Sequence, residues 1–452
     1  MKKYRFLSLS LLVTIILSLV PVSASLPQED LDLFCTNAVL LDANHGEILY
    51  DMKAHEKAYP ASITKIMTAL LTLEAIEYGR LSLDTAVTAG ENRMQDVTYT
   101  YVNAGSKLGE VFTVEELLYM TLLPSYADSA NMLAESVDGT IEDFVDHMNR
   151  KASELGCEGT HFTNPVGIHN ENHYSTAYDL ALIMQECLKY DTFRTIIKTA
   201  DHTTPATNLS GARRYFNTNG LISNMYLEGY VYSKCIGGKT GNTDEAGRCL
   251  VAAAVDGDEL LISVILGSGP MEVPGSEKLK QGQLLESKRL LEYGFNNFQR
   301  VTITKDSEPV GKVRVTLSRQ ADEVNVKAQG SITRTLPKSM NVDDIETSVT
   351  LFDKEVEAPV EAGQVMGVMT LFYGDEEYGQ LDLVAVTSVE RSELLYKKQQ
   401  FFEFLQNEGV RIILAVVLFV AGIVVLKLIV FHRKRPKVGA AARRGNYKGT
   451  RM

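Results

Sequence analysis

Three short stretches of the chain hold residue types that can do covalent chemistry on a carbonyl group. The first is Ser62-Ile63-Thr64-Lys65, preceded by Pro60-Ala61. A serine hydroxyl becomes a nucleophile only when a base takes its proton, and a lysine buried beside other cations can lose its own proton and serve as that base. Helical periodicity over residues 63–78 puts Ser62 at a helix start, with Lys65 one turn on along the same face. The free N–H groups and positive dipole end of a helix start suit a developing oxyanion. The second stretch is Lys239-Thr240-Gly241, followed by Asn242-Thr243, at the end of a strand-like run. A cation, a hydroxyl and a glycine that lets backbone come close can grip a carboxylate. The third is Ser125-Tyr126-Ala127, in the turn after Pro124, where a serine can relay protons between a base and a leaving group. Each alone has a plainer reading: a helix cap with a solvated lysine, an ordinary turn, and a second helix cap.

Elements must hold these residues together. Residues 37–50 read as strand, turn, strand, with Asn44-His45-Gly46 at the turn. The helix over 63–78 stops at Gly79. Thr113 with Glu116 marks the start of a helix that Pro124 ends, and Thr176 with Asp179 marks another. Residues 127–137 and 140–155 read as two further helices, stopped by Gly139 and Gly156. Residues 235–241 and 248–255 look like paired strands, and 259–266 like a third. Strands at both ends around a helical middle predict an α+β domain over residues 30–296, its sheet joining distant parts of the chain. Over 297–392 the pattern turns to short β runs, with 313–317, 324–327, 349–352 and 381–384 the clearest. They predict a small β-sandwich without catalytic residues.

The chain has 452 residues, 45 Lys+Arg against 57 Asp+Glu, and a formal net charge of −12. Hydrophobic residues at 45% and charged residues at 23% exclude a disordered or fibrous protein. Five scattered Cys exclude a disulfide scaffold. Residues 1–24 read as a secretory signal, with Lys2, Lys3 and Arg5 before an apolar run and Val22-Ser23-Ala24 as the cleavage site. After a juxtamembrane stretch at 393–410, a transmembrane helix is expected at 411–431, since residues 412–431 form an apolar run of spanning length broken only by Lys427. A tail at 432–452 follows, rich in Lys and Arg and free of acids. The positive-inside tendency predicts a single pass of the cell membrane, with the tail in the cytoplasm and the body outside. Without the three basic residues of the signal and the ten from Arg411 onward, the exported body keeps 32 basic residues against 57 acids, a charge of about −25. Such a body is no partner for nucleic acid.

In this order and context the three motifs resemble the serine D-alanyl-D-alanine carboxypeptidases, the low-molecular-mass penicillin-binding proteins. Supporting stretches are Ala38-Val39-Leu40-Leu41-Asp42 with Gly46, Asn164-Pro165-Val166-Gly167, and the run from His173 through Ala181. The resemblance implies the serine β-lactamase/DD-peptidase-like transpeptidase fold, an antiparallel sheet with helices on both sides plus a helical subdomain, followed by the family's β-rich C-terminal domain. It implies that Ser62 attacks the carbonyl between two D-alanines at the end of a peptidoglycan stem peptide, with Lys65 as general base. Ser125 would help protonate the departing amine. Backbone N–H groups of Ser62 and Asn242 would form the oxyanion hole, and Lys239, Thr240 and Gly241 would hold the terminal carboxylate. Penicillins and other β-lactams would stall at the acyl stage. No metal and no organic cofactor is implied.

One position departs from the family pattern. The middle motif usually ends in Asn, and this chain has Ala127, whose methyl cannot hold the lysine and the substrate amide. A missing charge-assisted bond costs about 1.5–3 kcal/mol unless something replaces it, and neighbouring Asp128 is a partial substitute. The second reading is therefore a weakened enzyme, or a penicillin-binding or stem-peptide-sensing protein with little turnover. A β-lactamase would need a further base, and no Glu-containing stretch resembles its loop. His169 and His173 have a metal-like spacing, but the residues between them read as loop and a third ligand is missing, so with His161 they read as structural. Arg213 and Arg214 are candidates to support the substrate carboxylate. A hairpin centred on Asn242 would set Cys235 opposite Cys249, as a cross-strand disulfide or as two buried thiols.

Overall fold

A buried strand must find partners for its backbone N–H and C=O groups along both edges. The computed structural model describes residues 31–98, 101–304, 308–373 and 376–433; the secretory signal read at 1–24 and tail residues 434–452 lie outside them. Five antiparallel strands form the main sheet: β1 (Asn37–Asp42), β2 (Glu47–Met52), β3 (Cys235–Thr243), β4 (Gly247–Asp256) and β5 (Glu259–Ser268). Their spatial order is β2-β1-β5-β4-β3. Fully buried β1 pairs with β2 on one edge and with β5 on the other, Asn37 opposite Leu266 and Asp42 opposite Leu261. The sheet thus closes the two ends of the domain onto each other, as the strand–helix–strand pattern predicts.

Alternation along each strand divides the side chains between two cores. Val39, Leu41, Val251, Val264 and Leu266 enter one, filled by helices α1 (Lys65–Glu77), α2 (Val114–Leu122), α3 (Ala127–Asp138), α4 (Ile141–Glu154), α5 (Ala177–Cys187) and α6 (Asp191–Lys198). Ala38, Leu40, Leu250, Ala252 and Ile265 enter the other, under Leu284, Leu290 and Leu291 of α7 (Gly282–Asn297). Helix α1 is buried all the way from Lys65 to Ala75, so apolar residues are spread around it, with Thr68, Thr72 and Glu74 the buried polar exceptions after Lys65. Thr113, Thr140 and Thr176 cap α2, α4 and α5 by accepting the backbone N–H three residues on. Helix α7 escapes a reading by periodicity because it turns Gln283, Glu286 and Ser287 inward among its leucines.

The β3–β4 hairpin corrects one expectation. It turns after Thr243, which faces Gly247, and not at Asn242. Cys235 therefore lies opposite Ala254 and Cys249 opposite Gly241, and the two thiols belong to different cores. They are buried and free.

The chain forms two compact units, one of residues up to Ile303 with Thr333–Ile345, the other of Thr304–Ile332 and the residues from Glu346 onward. Within the second, β6 (Pro309–Thr316), β7 (Glu323–Ala328), β8 (Glu346–Leu351), β9 (Glu355–Glu357), β10 (Val365–Tyr373) and β11 (Glu376–Ala385) form one sheet. Its order is β8-β10-β11-β7-β6-β9, with β6 and β9 parallel. Val313, Val326, Leu371 and Leu383 are buried in it. Two helices follow, α8 (Glu393–Gln406) and α9 (Glu408–Arg433). Over Glu408–Phe431 the latter is long and apolar enough to cross a membrane.

Thr176 is buried and its hydroxyl accepts from the Asp179 N–H at 3.0 Å. Thr176→Ala is expected to lower the stability of the first unit by about 1 kcal/mol. Urea unfolding followed by circular dichroism checks this, and an unshifted midpoint would show that the cap contributes nothing.

Candidate active site

The turn that carries Ser62 is tighter than the expected α-helix start. Ala61 to Thr64 form one turn of 3₁₀ helix, and α1 begins at Lys65. Ala61 has a left-handed backbone, φ +47°, which aims the turn into the domain. Lys65 Nζ lies 3.0 Å from Ser62 Oγ and donates to Val166 O at 2.6 Å. The lysine side chain is only 2% exposed. Burial drives its pKa down to about 7, against a smaller upward pull from the charge of Asp128. A neutral amine can accept the Ser62 proton while giving one of its own to Val166.

Loop 164–168 exists to present that carbonyl. Asn164 Oδ1 accepts from the N–H groups of Val166, Gly167 and Ile168, and Thr68 Oγ1 donates to Pro165 O at 2.6 Å. Gly167 sits at φ +81°, and a Cβ there would fall 1.9 Å from Ala61 O. Behind the turn, Thr163 N–H donates to His173 Nδ1 at 3.0 Å, so His173 Nε2–H donates to Thr64 Oγ1 at 2.8 Å. Thr64 in turn donates to Ala61 O. Burial first, then His161, His169 and Lys65, push the His173 pKa down to about 3, which keeps the ring neutral. Both of its nitrogens are thus engaged in fixing the serine turn, a structural role.

Ser125 is not a helix cap. Tyr126 takes that position, and Ser125 stands before it at φ +70° with its buried Oγ lacking a hydrogen-bond partner among the described residues. The left-handed backbone at Ser125 holds an unpartnered hydroxyl at the cleft. Ala127 N–H donates to Val102 O. Asp128 does not replace the missing amide, which corrects that expectation. Its oxygens accept from Ala104 N, Ser129 N, Ser106 N and Ser106 Oγ, so the carboxylate builds the loop at 104–106 and reaches Lys65 only as a charge.

Strand β3 closes the site. A Cβ on Gly241 would meet Pro60 O at 2.8 Å and Ile63 N at 3.2 Å, so only glycine lets the strand pass this close to the serine turn. Lys239 is fully buried and its Nζ donates to Thr240 O at 2.8 Å. Burial and then Lys65 hold its ammonium well below the ordinary lysine range. Thr240 Oγ1 is 2.7 Å from Thr218 Oγ1. In the main sheet β3 is an edge strand.

A cleft of about 710 Å³ brings Ser62, Lys65, Ser125, Ala127, Thr240, Gly241 and Asn242 to one surface, with Lys239 behind its wall. Tyr101, Val102, Phe216, Tyr226 and Leu227 give it an apolar rim, while Thr218, Arg248, Gln281 and Gln283 add polar groups that motif reading misses. Arg248 lies opposite Asn242 because the hairpin turns after Thr243. Arg213 is ion-paired to buried Glu110, and Arg214, on the rim, to Asp201.

The sequence profile of the D-alanyl-D-alanine carboxypeptidases matches residues 23–269, and that of the penicillin-binding protein 5 C-terminal domain matches residues 298–391. The chain is 30% identical over 378 residues to D-alanyl-D-alanine carboxypeptidase DacF of Bacillus subtilis (strain 168), covering 82% of this chain and 88% of that one. It is 34% identical over 264 residues to the D-alanyl-D-alanine carboxypeptidase of Streptomyces sp. (strain K15), covering 55% and 83%. The crystal structure of penicillin binding protein 5 from Haemophilus influenzae superposes with a TM-score of 0.64 at 27% identity, covering 81% of this chain and all of that one.

Gly167→Ala should push the loop and the serine turn apart. The expected result is a loss of about tenfold or more in the rate at which Ser62 is acylated by an activated ester. Acylation at the parent rate in a folded variant would show that the loop does not position Ser62.

Proposed function

The chain belongs to the D-alanyl-D-alanine carboxypeptidase family, and on that premise we propose that Ser62, Lys65 and Ser125 carry its chemistry. The stem peptide of peptidoglycan lies along the open edge of β3, adding a strand to the sheet. Lys65, neutral, takes the Ser62 proton as Oγ attacks the carbonyl between the two terminal D-alanines. The oxyanion forms against the N–H groups of Ser62 and Asn242. Ser125 passes a proton to the departing amine, and D-alanine leaves. Water then hydrolyses the acyl-enzyme, so the shortened peptide can no longer donate a cross-link. Penicillins acylate the same serine and stay. Lys239 holds the Thr240 carbonyl from behind the strand, and the Thr240 hydroxyl reaches the cleft. Helix α9 anchors the protein in the cell membrane, with the catalytic unit outside and the tail in the cytoplasm.

The observation that carries this reading is the 3.0 Å contact between Ser62 Oγ and a buried lysine amine. The same contact disfavours a protein with little turnover, since nucleophile and base are already engaged despite Ala127.

Residues 25–408 are expected to release D-alanine from diacyl-L-Lys-D-Ala-D-Ala, and Ser62→Ala to release none. A folded parent that releases none would overturn the assignment. The rate of acylation should also follow the neutral fraction of Lys65. With a pKa of about 7 the amine is protonated in acid, so the rate should fall about tenfold per pH unit below neutrality and level off above it. A stopped-flow pH profile checks this, and a rate that is flat down to pH ~5 would remove Lys65 as the base.

A further inference from the structure

A second cavity, of about 380 Å³, is walled by Lys57, Tyr59, Glu171, Tyr174 and Glu245. None of them belongs to the Ser62–Lys65–Ser125 machinery, yet two stand close to it in the chain. Tyr59 is three residues before Ser62, so their Cα atoms are at most about 11 Å apart. Glu245 is three residues after Asn242, in the turn between β3 and β4. Tyr59 packs edge-on against His169 with ring centres 4.6 Å apart. The His169 N–H donates in turn to the hydroxyl of Tyr101, on the rim of the cleft. One ridge of side chains thus runs from the cleft to the cavity.

The walls are braced and their charges are unspent. Ala58 and Ser175 exchange backbone hydrogen bonds, N–H to C=O in both directions, which fixes the 57–59 segment against the 171–175 loop. Lys57 Nζ sits 3.8 Å from the centre of the Tyr174 ring. Glu171 and Glu245 make no hydrogen bond or ion pair among the described residues, with Lys57 or with any other group. Two carboxylates against one ammonium leave one negative charge unmatched in the lining, whereas the cleft is lined by Arg214 and Arg248 and by no acid.

We propose that this cavity is a remote subsite of the enzyme, in which Glu171 and Glu245 bind a free side-chain ammonium on the third residue of the stem peptide. The assignment rests on the carboxypeptidase reading. With the bond between residues four and five held at Ser62, the third residue lies one residue upstream of the reacting carbonyl, and an extended chain advances about 3.3 Å per residue. A long diamino side chain covers the rest of the way, with its alkyl stem against Tyr59 and its charge at the glutamates. An amine already acylated by a cross-link is neutral and bulkier. The subsite therefore favours stems that have not accepted a cross-link. Both glutamates are exposed, so the preference is a matter of a few fold and is sensitive to salt.

The test uses the full chain in detergent with two peptides that differ by one acetyl group, Nα-acetyl-L-Lys-D-Ala-D-Ala and Nα,Nε-diacetyl-L-Lys-D-Ala-D-Ala. The parent is expected to favour the free amine by about fivefold in kcat/KM at low salt and to lose that preference in about 1 M salt. With Glu171→Gln and Glu245→Gln together, the ratio should fall to about one while the rate on the diacetyl peptide stays at the parent's value. Each ratio is taken within one protein, so it does not depend on the active fraction. A parent that releases D-alanine equally from both peptides, or a preference that survives both substitutions, would overturn the subsite and leave the reading standing. NMR titration of Ser62→Ala with the same two peptides gives a second ratio that needs no turnover. If the parent releases no D-alanine but Ser62→Ala binds the free amine more tightly, and the two Glu→Gln substitutions abolish that difference, the carboxypeptidase reading fails and the subsite stands. Equal binding of the two peptides removes the subsite whatever the parent's activity.

Discussion

A primary amine in neutral water carries a proton, and Lys65 can act on Ser62 only without it. The fold solves this by depth. Lys65 opens a helix that is buried from its first residue, and its amine meets a hydroxyl and a carbonyl and no carboxylate. Lowering a lysine to about 7 disfavours the charged form by roughly 5 kcal/mol relative to water. That penalty is supplied by packing around α1, so the chemistry of the site depends on the core being dry. Asp128 is close enough to oppose the effect, and its four backbone and hydroxyl donors hold it away from a direct ion pair.

Keeping the amine dry while admitting a peptide requires backbone to pass very close to the serine turn. Gly167 and Gly241 meet that need from opposite sides, each at a place where a Cβ would strike the backbone of Ala61 or Pro60. His173 and Thr64 brace the turn from within, through a neutral ring that burial prevents from charging. Ser125 completes the arrangement with a strained backbone and an unspent hydroxyl. Ala127 offers the lysine no hydrogen bond, and the amine is held by the Val166 carbonyl beside the Ser62 hydroxyl. The arrangement therefore leans on the 164–168 loop.

Global and local electrostatics point in opposite directions. Residues 25–410 are strongly acidic in sum, yet the cleft is lined by Arg214 and Arg248. A net surface charge governs solubility and long-range encounter, whereas binding a single carboxylate is decided within a few ångströms. An acidic total weighs against a nucleic-acid partner and says nothing against an anionic peptide end.

Much of the catalytic unit was legible in the chain because its signals are local. Thr113, Thr140 and Thr176 mark helix starts through bonds that span three residues, and Gly139 and Gly156 mark stops where left-handed backbone is needed. The alternation in β1, β4 and β5 and the apolar length of α9 are likewise written within a few turns or strands of sequence. Three motifs in order were enough to indicate the family. What the chain alone left open depends on distant segments meeting. The close approach of β3 and the 164–168 loop to the Ser62 turn, the free thiols on either side of a hairpin that turns after Thr243, and the bonds of Asp128 to a loop more than twenty residues away are all of this kind. Helix α7 was hidden because its inward face carries polar residues that only a packed neighbour can satisfy. Local propensity and capping are decided by a residue's neighbours in sequence; depth, register and proton affinity are decided by its neighbours in space.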